Sequence, residues 1–530
     1  MKIQQLEEKL SHILREMIDS EDFLNYQTTY VHEDYKLSAK NLLRYLIIRS
    51  KDLRKYHDPL SDLGVSALRT AEAYVYSNLY NVVRNLNLLQ GIPFDIDAQI
   101  ERVGFTKSKK LLRKHANILF GKEHKKHFTE IMVTLPEEAA HNKALIRKMV
   151  LSGMRVARIN LSHGDVDLWE GMLANIRETS EETGQKVKIY MDLSGPKLRT
   201  SSIEILSRKG KIKNRIKIKN GDKIILTKKE TLGKISQQYR ENGAVGKIKI
   251  GVMLGEVVDD AMVGDSLLFD DGMIQSKVIA KKEDELELVI TKSYKSKLGS
   301  HKGINLPKTK LHLPALTAQD LEVLPFVCRH ADIIGYSFVR RGQDVKRLYS
   351  ELEKYNAEHI GVVFKIENKE AFENLPEILI NGMERNKIGV MIARGDLAIE
   401  IGFERISEVQ NEILWICEAA HVPVIWATQV LENLAKTGIP TRAEISDAAK
   451  AAQAECVMLN KGPHIISAIR VLKNILVRMK AHSFKKKNEL RALNVAKMYV
   501  ERWDEISAIP QNAENSKAGV KGGHILTKLH

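Results

Sequence analysis

Five short runs hold the residue types that phosphate and carboxylate chemistry needs. They are Arg158-Ile-Asn160-Leu-Ser162-His163-Gly164, Asp192-Leu193-Ser-Gly195-Pro-Lys197-Leu-Arg199, Lys365-Ile-Glu367, Ala393-Arg394-Gly395-Asp396 and Thr428-Gln429. Glu367 and Asp396 supply two hard oxygen ligands, which suit Mg²⁺ or Mn²⁺ when water and substrate oxygens complete the shell. Lys365 stands two residues before Glu367, so on a strand both side chains point the same way. A cation beside a metal is suited to neutralising a phosphoryl group in transfer. Arg158 can grip a phosphate with two parallel N–H donors. The Ala393–Asp396 run opens a helix whose free N–H groups can bind a carboxylate. The Thr428 hydroxyl could position a proton or a carboxylate oxygen. Alone, Asp396 reads as a helix cap and Arg158 as an ion-pair partner. Five such runs at strand ends do not reduce to that, because charge at a buried rim is costly unless it is paired or binds something. Together they describe a site for a small anion bearing phosphate and carboxylate, plus a metal. The chain has no Walker A motif and no kinase glycine-rich loop.

These runs lie at the ends of predicted strands. Short apolar strands alternate with amphipathic helices from about Thr129: Ile131–Thr134, Val156–Asn160, Lys188–Asp192, Ile333–Phe338, Gly361–Ile366, Ile388–Ala393, Val422–Ala427 and Val457–Asn460. Eight βα units imply an α/β fold, a (β/α)₈ TIM barrel with its chemistry at the C-terminal strand ends. Roughly 100 residues between the third and fourth strands are too many for a loop. Their alternating texture, as in KIKNRIKIK, predicts antiparallel strands with one wet face. There Lys211, Lys213, Arg215, Lys217 and Lys219 share one face, and Ile212, Ile216 and Ile218 the other. The basic face could attract phosphate, or simply be solvated.

Ahead of the barrel the chain reads as an all-α extension. Ser38–Leu53 and Ser66–Leu89 carry helical periodicity, and Thr106–His127 reads as a basic linker. The expected division is therefore a helical extension over 1–125, a barrel over 126–200 and 306–480, an inserted small β-barrel over 201–305, and a partly disordered tail over 481–530. The net charge of +16 is compatible with phosphorylated ligands, with nucleic acid, or with a solvated basic surface. Nucleic acid is not an expected partner, since charge is its only support. Three scattered cysteines, Cys328, Cys417 and Cys456, form neither zinc spacing nor a disulfide framework, so a reducing cytoplasm is expected. No apolar stretch approaches the roughly 20 residues that span a bilayer, and no membrane partner is expected.

The runs SGMRVARINLSHG, MDLSGPKLRT, FDDGMI, HKGINLP, FKIEN, MIARGDLAIEI, VIWATQVLENL and PTRAEISDAA, in that order, resemble pyruvate kinase over roughly Thr129 to Arg470. The resemblance implies transfer of a phosphoryl group from phosphoenolpyruvate to ADP, giving pyruvate and ATP. It implies that Glu367 and Asp396 ligate the divalent metal, while Arg158 and Lys365 hold and stabilise the phosphoryl group. Ala393, Arg394, Gly395, Asp396 and Thr428 would hold the carboxylate, with Thr428 near the transferred proton. Asn160, His163, Arg199 and Lys302 would face nucleotide phosphates. The insert would close as a lid that excludes water. A homo-oligomer is expected.

The chain also departs from the family pattern. Many relatives carry Thr-Lys-Gly-Pro-Glu where this chain has Leu193, Ser194, Gly195, Pro196 and Lys197. An ammonium replaces the carboxylate that helps make a K⁺ site, so K⁺ is expected not to be required. Asn160, Ser162, Asp192 and Leu193 would be remnants of that site. The first strand lacks Gly before Pro136, Ala398 stands where Gly is usual, and the eighth strand ends Asn460-Lys461-Gly462-Pro463. The helix Ser446–Glu455 looks two residues short. About 55 residues follow Ile475, too few for the family's C-terminal regulatory domain, so regulation through that domain is not expected. Two other readings remain: a barrel enzyme acting on a related enolpyruvate or keto acid, and a non-catalytic sensor of phosphoenolpyruvate.

Overall fold

A computed structural model describes residues 2–94, 100–122, 129–206, 212–228, 248–479 and 492–503. Lys211, much of the GKEHKKH run, the FKKKN run and the Gly/Ala/Asn-rich tail lie outside these residues. Eight parallel strands close into a barrel: β1 (Glu130–Thr134), β2 (Val156–Asn160), β3 (Lys188–Asp192), β4 (Ile333–Tyr336), β5 (Gly361–Ile366), β6 (Ile388–Ala393), β7 (Val424–Val430) and β8 (Cys456–Leu459). Each pairs with its neighbour in sequence, and β8 returns to β1. The strands are almost wholly buried apolar runs, as expected when helices cover a parallel sheet. Strand β4 stops two residues earlier than predicted, because Phe338 turns into the left-handed region (φ 55°). Strand β7 runs past Ala427 through an irregularity at Thr428 and Gln429, both with positive φ. Non-glycine residues held there are strained, and such strain collects at functional sites.

The insert expected as a small β-barrel is, among the described residues, a six-stranded sheet with two two-stranded ribbons and its own apolar core. Most of its strands pair antiparallel. Lys223–Thr227 and Ile248–Gly251 pair parallel, so the sheet is mixed. A parallel pair needs a long crossover connection, and the alternation of a single strand carries no information about that. Arg215 and Lys217 are exposed and Ile216 and Ile218 buried, as the two-faced pattern implies.

The N-terminal extension folds as α1 (Ile3–Asp19), α2 (Glu21–Gln27), α3 (Lys36–Arg49), α4 (Arg54–Asp62), α5 (Val75–Leu89) and α6 (Phe105–Phe120). The predicted helix from Ser66 begins only at Val75. Leu68 is left-handed (φ 62°) and breaks the run. The start is fixed from α3, where Asn41 Oδ1 accepts the Val75 N–H at 3.1 Å. The stretch read as a basic linker is largely helix α6. Its buried positions are Ser108, His115, Leu119 and Phe120. Two of those four are polar, so apolar periodicity is hidden and only the basic solvent face is conspicuous.

Helix α6 closes the floor of the barrel. Leu119 and Phe120 join one cluster with Met132, Val156, Tyr190, Ile333, Val363, Met391 and Ile425 from the barrel interior. Two strand glycines make room for this contact. A Cβ on Gly361 would stand 2.6 Å from Leu119 Cδ1, and one on Gly389 2.7 Å from Leu119 Cδ2. Replacing Leu119 by alanine is expected to cost about 2–5 kcal/mol, since rigid strands surround the void and cannot collapse into it. Urea midpoints of the two proteins check this; an unchanged midpoint would mean the floor does not depend on α6.

Two buried histidines fasten the extension to the barrel. His421, before β7, contacts Ser38 Oγ at 2.9 Å and Ala73 O at 2.8 Å. His115 of α6 contacts the His421 carbonyl oxygen at 2.7 Å and stacks on Tyr35. Burial pushes the His421 imidazole down to about 3. A neutral histidine in the fold and an ordinary one in the unfolded chain mean that the unfolded chain binds more protons between about pH 6.5 and 3. Stability is therefore full above about 6.5 and falls as pH drops, by roughly 2 kcal/mol at pH 5 from this group. Burial also lowers His115, which adds to the loss. Melting temperatures at neutral and mildly acid pH should diverge for the wild type and converge for His421→Gln. No helix among the described residues is long and apolar enough to cross a membrane.

Candidate functional site

The C-terminal ends of β2, β3, β5, β6 and β7 bring their reactive residues to one rim. Asp192, at the end of β3 and 1% exposed, is the hub. Its Oδ2 accepts from Arg158 Nε at 3.1 Å and from Arg158 Nη2, and from Lys365 Nζ at 3.1 Å. Arg158 also donates to Thr134 Oγ1 at 2.9 Å. Lys365, 7% exposed, donates to Ser337 Oγ at 2.7 Å and lies 3.1 Å from Glu367 Oε1. The other Glu367 oxygen accepts the Phe338 N–H at 2.7 Å, which accounts for the left-handed turn after β4. Room for Asp192 depends on Gly335: a Cβ there would stand 2.3 Å from both Asp192 Oδ1 and the Tyr190 hydroxyl.

Burial opposes ionisation of Asp192, yet the charges of Arg158 and Lys365 outweigh it and hold the carboxyl below its usual range. Burial likewise works against the Lys365 ammonium, but Asp192 and Glu367 raise it above normal. Glu367 is pushed up by burial, with Lys365 opposing and the nearby Asp396 charge adding to the rise. A buried carboxylate whose ionisation is opposed by a second carboxylate nearby is an arrangement that a divalent cation relieves. No group of three His, Cys, Asp or Glu side chains suited to a metal occurs among the described residues. A two-carboxylate set still fits Mg²⁺, which retains waters and takes substrate oxygens as ligands.

Asp396 lies in the helix α9 (Arg394–Ile401), numbering as α7 and α8 the short helices Lys369–Glu373 and Leu375–Gly382 that follow Glu367. Arg394 fastens the strand ends together. It donates to the carbonyls of Ala427 (2.8 Å) and Thr428 (2.5 Å) and to Asp447 Oδ2 (2.8 Å). Its guanidinium is therefore engaged in holding backbone. Thr428 Oγ1 is buried with no partner among the described residues, and it lies 3.6 Å from where a Gly395 Cβ would stand. An unpartnered buried hydroxyl beside a helix start is ready for an acceptor or donor from a ligand.

The residues expected to face a nucleotide, or to mark a monovalent-cation site, are gathered only in part. Asn160 sits opposite Asp192 in the β2–β3 register and accepts the Ser162 N–H at 3.2 Å. Ser162 Oγ reaches Ser194 Oγ at 3.2 Å, and Leu193 is buried. Asn160 and His163 line a cavity of about 280 Å³ with Thr134, Arg158, Thr428 and Lys461. Burial, then the charges of Lys461 and Arg199, lower His163, so the imidazole is neutral among cations. Arg199 stands where the chain enters the insert and donates to the His301 carbonyl at 3.1 Å. Lys302 lies within the insert, 2.9 Å from Asp270 Oδ1. Lys197, expected beside Asn160, Ser162 and Asp192, instead places Nζ 3.0 Å from each Asp396 oxygen. Asp396 lies across the rim, and its carboxylate draws the ammonium away from the β2–β3 side.

Sequence reasoning missed Asp192 as the common partner of Arg158 and Lys365. The signal was present, since Asp192 ends a buried strand beside Asn160. It also missed Ser337, Thr134 and Asp447, polar residues whose roles depend on which strand ends are neighbours. In the sequence, Lys461 stands out only as a departure at the end of β8.

The family model described as the barrel domain of pyruvate kinase matches residues 126–463. The chain is 35% identical over 360 residues to the pyruvate kinase of Geobacillus stearothermophilus, covering 67% of this chain and 57% of that protein. It is 36% identical over 327 residues to that of Thermococcus litoralis, covering 61% and 62% respectively. The crystal structure of a pyruvate kinase from Cryptosporidium parvum superposes with a TM-score of 0.57 at 27% identity, over 69% of this chain and 72% of that one. The chain thus spans little more than half the length of the Geobacillus protein.

Proposed function

Because the chain belongs to the pyruvate kinase family, we propose that it transfers the phosphoryl group of phosphoenolpyruvate to ADP, giving pyruvate and ATP, the last step of glycolysis. The observation that carries this reading is the buried Arg158–Asp192–Lys365–Glu367 chain at the barrel rim. Two cations are balanced there by Asp192 and Glu367, so a divalent cation bound at Glu367 would leave the cluster positive toward an anion in a water-poor setting, where charge counts most.

Glu367 and Asp396 would hold Mg²⁺ or Mn²⁺, which when bound would supply charge neutralisation between substrate carboxylate and phosphate. Arg158 and Lys365 grip the phosphoryl group from the side of Asp192. Asp192 fixes both cations in place, so little reorganisation is needed as charge moves. The N–H groups at the start of α9 receive the carboxylate end. Thr428 Oγ1 faces the carbon that takes up a proton. Asn160, His163, Arg199 and Lys302 serve the nucleotide phosphates, with closure of the insert bringing Lys302 inward.

Activity without K⁺ belongs to the same reading. It is supported by the Lys197 ammonium, 3.0 Å from each oxygen of Asp396, a permanently tethered monovalent cation at the metal end of the site. A homo-oligomer in the cytoplasm completes the proposal, and sedimentation velocity tests the assembly.

The decisive assay follows pyruvate formation from phosphoenolpyruvate and ADP with Mg²⁺, in sodium-free tetramethylammonium buffer, with and without K⁺. Turnover that ignores K⁺ is expected. Turnover only with K⁺ would keep the enzyme and remove the role of Lys197. No turnover by folded protein that still binds phosphoenolpyruvate would point to the sensor reading.

A further inference from the structure

The chain crosses twice between barrel and insert, and a cavity of about 740 Å³ opens beneath both crossings, Pro196–Leu198 and Ile304–Leu311. Its remaining wall is made by the loop after β4, the residues from Glu367 through α7 and α8, helix α9, and Arg502. Arg502 follows α11 (Asn494–Glu501), numbering Arg442–Ala451 as α10. None of Arg158, Asn160, His163, Arg199 or Thr428 lines it; it meets the proposed reaction site only at Lys197, Glu367 and Asp396.

Most of the charge on these walls is already matched. Glu370 lies 2.6 Å from Arg341 and 3.9 Å from Arg340, and Lys369 lies 3.4 Å from Glu373. Lys197 holds Asp396, and Glu377 accepts the Gly342 N–H at 3.0 Å. Glu400 accepts from Asn305 Nδ2 at 3.0 Å, and burial pushes its carboxyl up to about 7. Three cations are left without a carboxylate within ion-pair distance among the described residues: Lys308 and Lys310 on the returning crossing, and Arg502 on the facing wall.

We propose that this cavity binds a phosphate-bearing small molecule through Lys308, Lys310 and Arg502, apart from the place where a phosphoryl group is transferred. The volume suits a compact metabolite, since small-molecule sites run from roughly 300 to 1,000 Å³. Arg502 is well anchored. Its Nη1 donates to Asn374 Oδ1 at 2.6 Å, the neighbouring Trp503 packs on Phe23 at 4.5 Å, and the Leu493 N–H reaches the Arg49 carbonyl at 3.0 Å. The lysines belong to the crossing that must flex if the insert moves. A phosphate between the two therefore ties the insert's root to the barrel and the N-terminal helices, and so biases the angle of the insert.

Isothermal titration of the full chain with inorganic phosphate and with glycerol 3-phosphate tests the site. The organic phosphate is expected to bind more tightly, because the cavity exceeds the size of the free ion. Lys308→Gln/Lys310→Gln should weaken binding at least about tenfold, as should Arg502→Gln. The double lysine variant guards against misfolding, because both side chains are exposed and unpaired among the described residues. Lys365→Met, at the barrel rim, should leave this affinity unchanged. Loss of binding in Lys365→Met with full binding in the cavity variants would overturn the proposal. So would the absence of any binding at millimolar phosphate.

Discussion

Lys365→Met is expected to lower kcat for pyruvate formation by about 10³- to 10⁵-fold, the range seen when a cation that neutralises a phosphoryl group in transfer is removed. The ammonium is buried and lies between Asp192, Ser337 and Glu367. No water can take over its charge without the rim opening. Methionine fills much the same space, and Asp192 keeps Arg158 as its partner. The fold should survive, and binding of phosphoenolpyruvate should weaken far less than kcat falls. That split separates a role in the reaction from one in binding. A variant within tenfold of wild-type kcat would remove Lys365 from the chemistry.

Asp192→Ala is expected to destabilise the protein by about 3–5 kcal/mol, because it strands two buried cations with a single acceptor gone from each. The hub also gives an acid limit. A carboxyl whose folded pKa is depressed contributes stability above its unfolded value, near 3.9, and that stability is lost as pH falls through the folded value. Its loss therefore comes at lower pH than that of the buried histidines. Urea titration of Asp192→Ala and Asp192→Asn gives the test. An asparagine variant with wild-type stability and kcat would mean that the shared oxygen is not what holds Arg158 and Lys365.

The barrel and its rim were legible in the sequence because parallel strands buried on both faces are continuous apolar runs. Reactive residues at their ends then fall on one side by topology alone. The two-residue period of a strand puts Lys365 and Glu367 on one side, and in the structure they lie 3.1 Å apart. The hub was not legible, since Asp192, Arg158 and Lys365 lie on three strands and only barrel closure with Gly335 at β4 brings them together. Helix α6 was hidden because Ser108 and His115 occupy two of its four buried positions. The destination of Lys197 depended on a charge about 200 residues away in sequence, which no local pattern carries. The parallel pair in the insert was missed for the same reason: strand texture reports a wet face, not a partner's direction.

The contact of Leu119 with Gly361 and Gly389 has a consequence for recombination. Three residues from the extension and from two strands more than 200 positions later occupy one small volume, so they must change together. Chimeras that keep residues 1–122 and take the barrel from a relative with larger side chains at those two strand positions would collide with α6. The reverse chimeras would leave two notches in the barrel floor. Crossover points placed between the extension and β1 should thus yield soluble hybrids mainly when both glycines travel with Leu119.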